Sequence, residues 1–160
     1  MPTPITPADD ARTLHDRLAR LGAELLVETI PDYVAGRITP RKQPAEGVTY
    51  ARKITKEDGR LDWNLPARTL WNRVRGLVPW PGAFTVLGPK PQLLKIWQAE
   101  VVEFVSGTPG EVLSADKKGI VVACGQGALR LLSLQREGGK RLTAKDFLAG
   151  HAIEVAQRLS

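Results

Sequence analysis

Few side chains in this sequence can do covalent or acid–base chemistry: two histidines, His15 and His151, and one cysteine, Cys124, among 160 residues. His15 adjoins Asp16, but neighbours one position apart on a helix point in different directions, so the pair is not a preset acid–base dyad. His151 follows the last helical pattern and reads as a terminal or capping residue. Cys124 closes the apolar run Ile120-Val121-Val122-Ala123-Cys124 and reads as a small core residue rather than a reactive thiol. A single cysteine also excludes an internal disulfide, which fits a reducing compartment. These residues are too far apart and too few for a zinc site, so no metal is expected. Gly138-Gly139-Lys140 lacks the flanking Walker pattern and is either a plain turn or a flexible basic hairpin that touches nucleic-acid phosphate.

Positive charge is what remains, and it is unevenly placed. Residues 1–37 carry four basic and six acidic side chains, a net of −2, whereas residues 38–160 carry 19 basic and 11 acidic, a net of +8. From Arg41 to Arg75 nine basic residues stand against four acidic ones. Such asymmetry points to a polyanionic partner, with a merely soluble basic surface as the alternative. Trp63, Trp71 and Trp80 lie close to this stretch and have the chemistry to stack on bases. Core packing is the preferred reading for them, and more so for Trp97 on its apolar strand. The cations chosen as nucleic-acid contacts, from the basic stretch and the glycine-rich loop, are Lys53, Lys56, Arg60, Arg73, Arg75, Lys140 and Arg141, with simple solvation of the surface as the competing view of several of them.

The elements that must carry these residues follow from periodicity. Thr6-Pro7-Ala8-Asp9 has the form of a helix start, with Asp9 and Asp10 suited to the positive end of the dipole. Leu14, Leu18, Leu21, Leu25 and Leu26 then recur at helical spacing, with Gly22 and Pro31 expected to bend or divide the pattern. This apolar stripe needs something to pack on. Between Ile38 and Val48 the periodicity vanishes and Pro40, Pro44 and Gly47 mix with Arg41 and Lys42, a linker composition.

Asn64 and Pro66 mark the start of a helix bearing Leu70, Trp71, Val74 and Leu77. It stops at the rigid corner Arg75-Gly76-Leu77-Val78-Pro79-Trp80-Pro81-Gly82, where two prolines restrict the backbone and Gly82 permits a turn. Beyond Ala83 the texture is β: Phe84–Leu87, a turn at Gly88-Pro89-Lys90-Pro91, Leu93–Val105, Glu111–Leu113, Ile120–Cys124, and Ala128–Leu134 after the Gly125-Gln126-Gly127 turn. A last helix opens at Thr143-Ala144-Lys145-Asp146. About five strands with helices at either end predict a mainly β chain with flanking α, built around a small closed or partly open barrel of the OB type. No apolar run approaches the roughly 20 residues that span a bilayer, and Met1-Pro2-Thr3-Pro4 has no signal-peptide character, so no membrane and a cytoplasmic location are expected.

In order along the chain stand Leu14-His15-Asp16-Arg17-Leu18-Ala19, Leu21-Gly22-Ala23, Thr49-Tyr50-Ala51, Lys53-Ile54-x-Lys56-Glu57, Leu61-Asp62-Trp63, Val74-Arg75-Gly76, Pro79-Trp80-Pro81-Gly82-Ala83, Pro109-Gly110, Leu134-Gln135 and Gly139-Lys140-Arg141 before Phe147-Leu148. Each motif alone is weak. The ordered set resembles the C-terminal part of the methionyl-tRNA formyltransferases over essentially the whole sequence.

The resemblance implies a division into residues 1–37, the last helices of a Rossmann-like formyltransferase domain, residues 38–56, a basic linker, and residues 57–160, an OB-like tRNA-binding domain. It implies initiator methionyl-tRNA as partner. The donor, 10-formyltetrahydrofolate, and the catalytic Asn, His and Asp would belong to an N-terminal domain outside these residues, since neither Asn-x-His nor Ser-Leu-Leu-Pro occurs here. The chain alone is thus expected to hold no cofactor and to be inactive. Two alternatives stay open: a support domain of a formyltransferase acting on a sugar nucleotide or folate, and a free-standing OB-type RNA-binding module.

Overall fold

A computed structural model describes residues 1–88 and 91–160 of the chain, so the turn expected at Gly88-Pro89-Lys90-Pro91 lies partly outside the described residues. The chain divides into two compact units, Met1–Ile54 and Thr55–Ser160.

The first unit is built on one helix, α1 (Ala11–Val34), which runs through both Gly22 and Pro31 without the expected break. Pro31 lies near the C-terminal end, so its missing N–H removes one bond on an exposed stretch where water can take the orphaned carbonyl. Asp10 caps the helix by accepting from Thr13 N at 2.8 Å, and Thr13 Oγ1 accepts from Asp10 N at 3.0 Å, which satisfies two otherwise orphaned donors. Asp9 accepts from both terminal nitrogens of Arg17, at 3.0 and 2.8 Å, and from Thr6 N at 2.7 Å. These bonds favour the ionised form and hold the Asp9 carboxyl far below the ordinary carboxylate range. Beyond Gly36 the unit has no helix or strand, in keeping with its proline-rich, aperiodic sequence.

The second unit opens with a 3-10 turn, Glu57–Gly59, followed by helix α2 (Ala67–Gly76) and strands β1 (Ala83–Leu87), β2 (Gln92–Val102), β3 (Val112–Asp116), β4 (Gly119–Ala123), β5 (Ala128–Arg136) and β6 (Leu142–Thr143); helix α3 (Ala144–Gly150) comes last. The strands form one antiparallel sheet in the order β1-β2-β5-β4-β3, with β6 paired to β5. The expected small barrel is thus an open sheet by its strand pairing, with β1 and β3 at its two ends. The segment Ala156–Ser160 supplies both edges with partners. Val86 and Ser160 exchange backbone bonds at 2.7 and 3.1 Å, and on β3 Val112 N donates to Gln157 O at 2.9 Å while Ala156 N donates to Val112 O at 2.8 Å.

Alternation decides which side chains face inward. Leu94 and Ile96 of β2 are buried, as are Leu129, Leu131 and Leu134 of β5, and they meet Leu70 and Val74 of α2 and Phe147 of α3 in one core. A bulge in β2 between Ile96 and Ala99 shifts the parity, so Ala99 and Val101 pack against the core as well. Trp63 is buried and donates its indole N–H to Thr85 Oγ1 at 3.0 Å, within the same interior.

The proline corner locks α2 to this sheet. Gly82 takes φ 78°, and its N–H donates to Leu77 O at 2.9 Å; the Val78-Pro79 and Trp80-Pro81 peptide bonds are cis. A side chain at Gly59 would strike the Gly82 carbonyl, so the 3-10 turn must pass the corner as bare backbone. The helix start differs from expectation. Pro66 is the cap of α2, while Asn64 turns back to Asp62 Oδ1 at 2.8 Å. Ala67 N instead finds Gln126 O at 2.9 Å.

Candidate nucleic-acid interface

Period two puts Lys95 and Trp97 on the face of β2 opposite Leu94 and Ile96, away from the core. Both are half-buried. The indole N–H of Trp97 donates to Gln135 Oε1 at 2.9 Å, and Gln135 Nε2 donates to Gly139 O at 2.8 Å. The tryptophan is thereby tied to the β5–β6 hairpin. Arg141 leaves that hairpin and lays its guanidinium over the ring, with Cζ 5.3 Å from the centroid, while Lys95 Nζ stands 6.0 Å away. Each distance is within cation–π reach, and such contacts contribute about 0.5–1 kcal/mol at exposed sites. Arg141 Nε also donates to Ser133 Oγ at 2.9 Å, which fixes the fork.

The charge of this face is not neutralised locally. Arg130 is paired with Glu100 at 2.7 Å, but none of Lys95, Lys140 and Arg141 has a carboxylate partner among the described residues. An oriented guanidinium and a lysine beside an indole, with Lys140 next along the hairpin, are a donor set for phosphate oxygens.

A second basic group surrounds the end of α2. Arg75 lies over Trp71 at 4.2 Å and Arg68 approaches the same ring at 5.1 Å. Arg73 Nη1 reaches Arg60 O at 3.5 Å, so the two chosen residues Arg60 and Arg73 meet, with Arg75 on the same last turn of α2. Lys140 and Arg141 meet on the hairpin. Lys56 is exposed at the head of the 3-10 turn, and Lys53 is exposed in the first unit. Arg60, Arg73 and Arg75 thus gather at the end of α2, and Lys140 and Arg141 on the hairpin.

The tryptophans divide differently from expectation. Trp63 is in the core and Trp71 packs against it from the side, but Trp80 is 56% exposed at the corner and Trp97 faces outward. Lys95, Trp97 and Gln135 lie outside the contacts chosen from the sequence, where Trp97 reads as core.

The remaining chemistry is quiet. Burial, partly offset by a backbone hydrogen bond, pushes the Cys124 thiol up to about 12, so it stays protonated and unreactive at neutral pH. His15 is exposed beside Asp16 with Nδ1 3.3 Å from Oδ1, and His151 forms the C-cap of α3. No cluster of three His, Cys, Asp or Glu able to hold a metal occurs among the described residues, nor is any described helix long and apolar enough to cross a membrane. A groove of about 590 Å³ between Pro66 and Gly127 is mostly apolar, and its arginine, Arg68, faces Glu103 at 3.7 Å.

Comparison with known proteins places this architecture. Residues 53–152 match the family described as formyl transferase, C-terminal domain. The chain is 49% identical over 146 residues to the methionyl-tRNA formyltransferase of Caldanaerobacter subterraneus subsp. tengcongensis, covering 91% of this chain and 46% of that protein. It is 48% identical over 158 residues to that of Chromobacterium violaceum, covering 99% and 50%. The chain thus spans about half the length of the relatives it matches. A crystal structure of a HypX variant from Aquifex aeolicus shares the fold with a TM-score of 0.65 and 22% identity, over 92% of this chain and 27% of that one. With the family match covering most of the second unit, the chain belongs to the formyl transferase C-terminal domain family.

Proposed function

We propose that this chain is the tRNA-binding portion of a methionyl-tRNA formyltransferase, gripping initiator methionyl-tRNA while another domain transfers a formyl group from 10-formyltetrahydrofolate to the methionine amino group. The observation that carries the reading is the pair of cations Lys95 and Arg141 around Trp97, with Lys140 beside Arg141 on the hairpin, all without carboxylate partners among the described residues, in a chain about half identical to proteins of that name. Double-helical RNA hides its major groove and is read through phosphates, 2′-hydroxyls and shape, which suits guanidinium and ammonium donors on a rigid sheet. Affinity from such contacts is sensitive to salt.

Under this reading residues 1–37 close an N-terminal formyltransferase domain, residues 38–56 are a basic linker, and residues 57–160 are an OB-like body whose open sheet is completed by the Ala156–Ser160 segment. The protein works in the cytoplasm, where its substrate is made. Lys53, Lys56, Arg60, Arg73 and Arg75 join the hairpin residues as RNA contacts. The chain by itself binds and does not catalyse.

A second reading is a support domain for a formyltransferase of small molecules. Replacing Lys53 and Lys56 together with alanine separates the two. The tRNA reading expects weaker tRNA binding by an intact fold, whereas unchanged binding supports the scaffold role.

A further inference from the structure

Behind the hairpin that carries Lys140 and Arg141 lies a pocket of about 240 Å³, bounded by Arg136, Glu137, Lys140, Leu142, Phe147 and His151. Its size is below the roughly 300 Å³ at which pockets for drug-sized ligands begin, and is suited to a single flat ring. The floor is aromatic. His151 stacks on Phe147 with centroids 4.8 Å apart and planes 25° from parallel. Phe147 is only 1% exposed, so it backs the imidazole rigidly, while half-buried His151 lines the pocket. The ring is also held in its own plane, because Nδ1 lies 3.2 Å from Phe147 O and donates to it when it carries the proton.

The rim supplies charge. Lys140 has no carboxylate partner among the described residues, and Arg136 Nη2 donates to the neutral Gln92 Oε1 at 2.8 Å, a bond that leaves its charge in place. Glu137 is an exposed rim residue opposing these two cations. Gly138, at φ 71°, and Gly139 leave the hairpin backbone bare for close approach. An oriented π face with cations at its edge is what a nucleotide requires: stacking for the base, ammonium and guanidinium for its phosphate.

We infer that this pocket receives one unpaired nucleotide of the bound RNA, its base stacked on His151 and its phosphate held by Lys140 and Arg136. The inference rests on the RNA-binding reading and adds a site for a splayed-out base to contacts that otherwise track the duplex backbone. Unpaired nucleotides are where proteins read RNA most directly, because an unstacked base can be drawn into a pocket.

The test uses the full chain, isotopically labelled, titrated with a single-stranded adenylate tetranucleotide, an RNA duplex matched in phosphate number, and adenosine 5′-monophosphate. The inference expects the single strand to shift the His151 ring signals and the Gly138 and Gly139 amides, while the duplex leaves the His151 ring unmoved. His151→Ala should weaken single-strand binding about tenfold or more, His151→Tyr should retain it, and Lys140→Ala should weaken single strand and duplex alike. Failure of the single strand to move the wild-type His151 ring overturns the pocket even if tRNA binds well. A response to the mononucleotide alone, without one to the tetranucleotide, overturns the RNA source. No binding of any RNA overturns the broader reading together with the pocket.

Discussion

Arg141 lies over Trp97, its guanidinium carbon 5.3 Å from the indole centroid, and neither residue is free to turn away. Gln135 holds the indole N–H at 2.9 Å and Ser133 holds Arg141 Nε at 2.9 Å. Two residues far apart in sequence thus form one oriented surface, with neutral side chains behind it doing the orienting. Pre-organisation of this kind lowers the entropy cost of binding.

Gln135→Ala separates orientation from charge. It removes no cation, so the slope of log affinity against log salt should stay at the wild-type value. Affinity for tRNA should fall several-fold as Trp97 and the hairpin loosen, about 0.5–1.5 kcal/mol for one hydrogen-bonded link. Filter binding across a salt series measures both quantities. A change in slope, or no change in affinity, contradicts the positioning role.

Thr85→Val probes the interior that holds this surface in place. Valine fills the same space, but the Trp63 N–H, now 3.0 Å from a hydroxyl, is left buried without an acceptor. The expected loss is about 1–3 kcal/mol in urea unfolding. A neutral outcome means that the Trp63–Thr85 bond contributes nothing to the fold.

Asp9 sets an acid limit on the first unit. Its carboxyl sits far below the ordinary value of 3.8 because the bonds from Arg17 and Thr6 favour the charged form. A folded pKa lowered in this way contributes stability that is fully present above the unfolded value and is lost as pH falls toward the folded one. Helicity measured by circular dichroism should therefore hold steady above about pH 4 and decline only below it. Asp9→Asn should lower helicity at neutral pH and flatten that acid decline. An Asp9 carboxyl signal titrating at the ordinary value contradicts the clamp.

Much of this fold is legible in the sequence. Glycine and proline punctuate the strands, and the Ile120–Cys124 run and Thr143 cap lie within a residue of where the elements fall. Pro31 misleads because a proline near the exposed end of a helix costs a single bond. Trp97 misleads for another reason. An apolar strand invites a core reading, yet counting by twos from Leu94 and Ile96 already places Trp97 outside, beside Lys95. The Trp80 corner shows that rigid backbone and burial are separate properties, since the ring is 56% exposed. Neither the pinning by Gln135 and Ser133 nor the partners of the chain's last residues leave any periodic signal. These depend on long-range register, as between Ile96 and Leu134.

Whether Lys140 and Arg141 meet RNA phosphate is decided by equilibrium binding of initiator tRNA across a salt series, for the wild-type chain and for the Lys140→Ala/Arg141→Ala double variant. Wild-type affinity should fall steeply with salt. The slope in the variant should be shallower by about 0.7–0.9 for each phosphate that the two side chains had neutralised. Wild-type binding indifferent to salt, or a variant with the wild-type slope and affinity, would refute the phosphate-binding role.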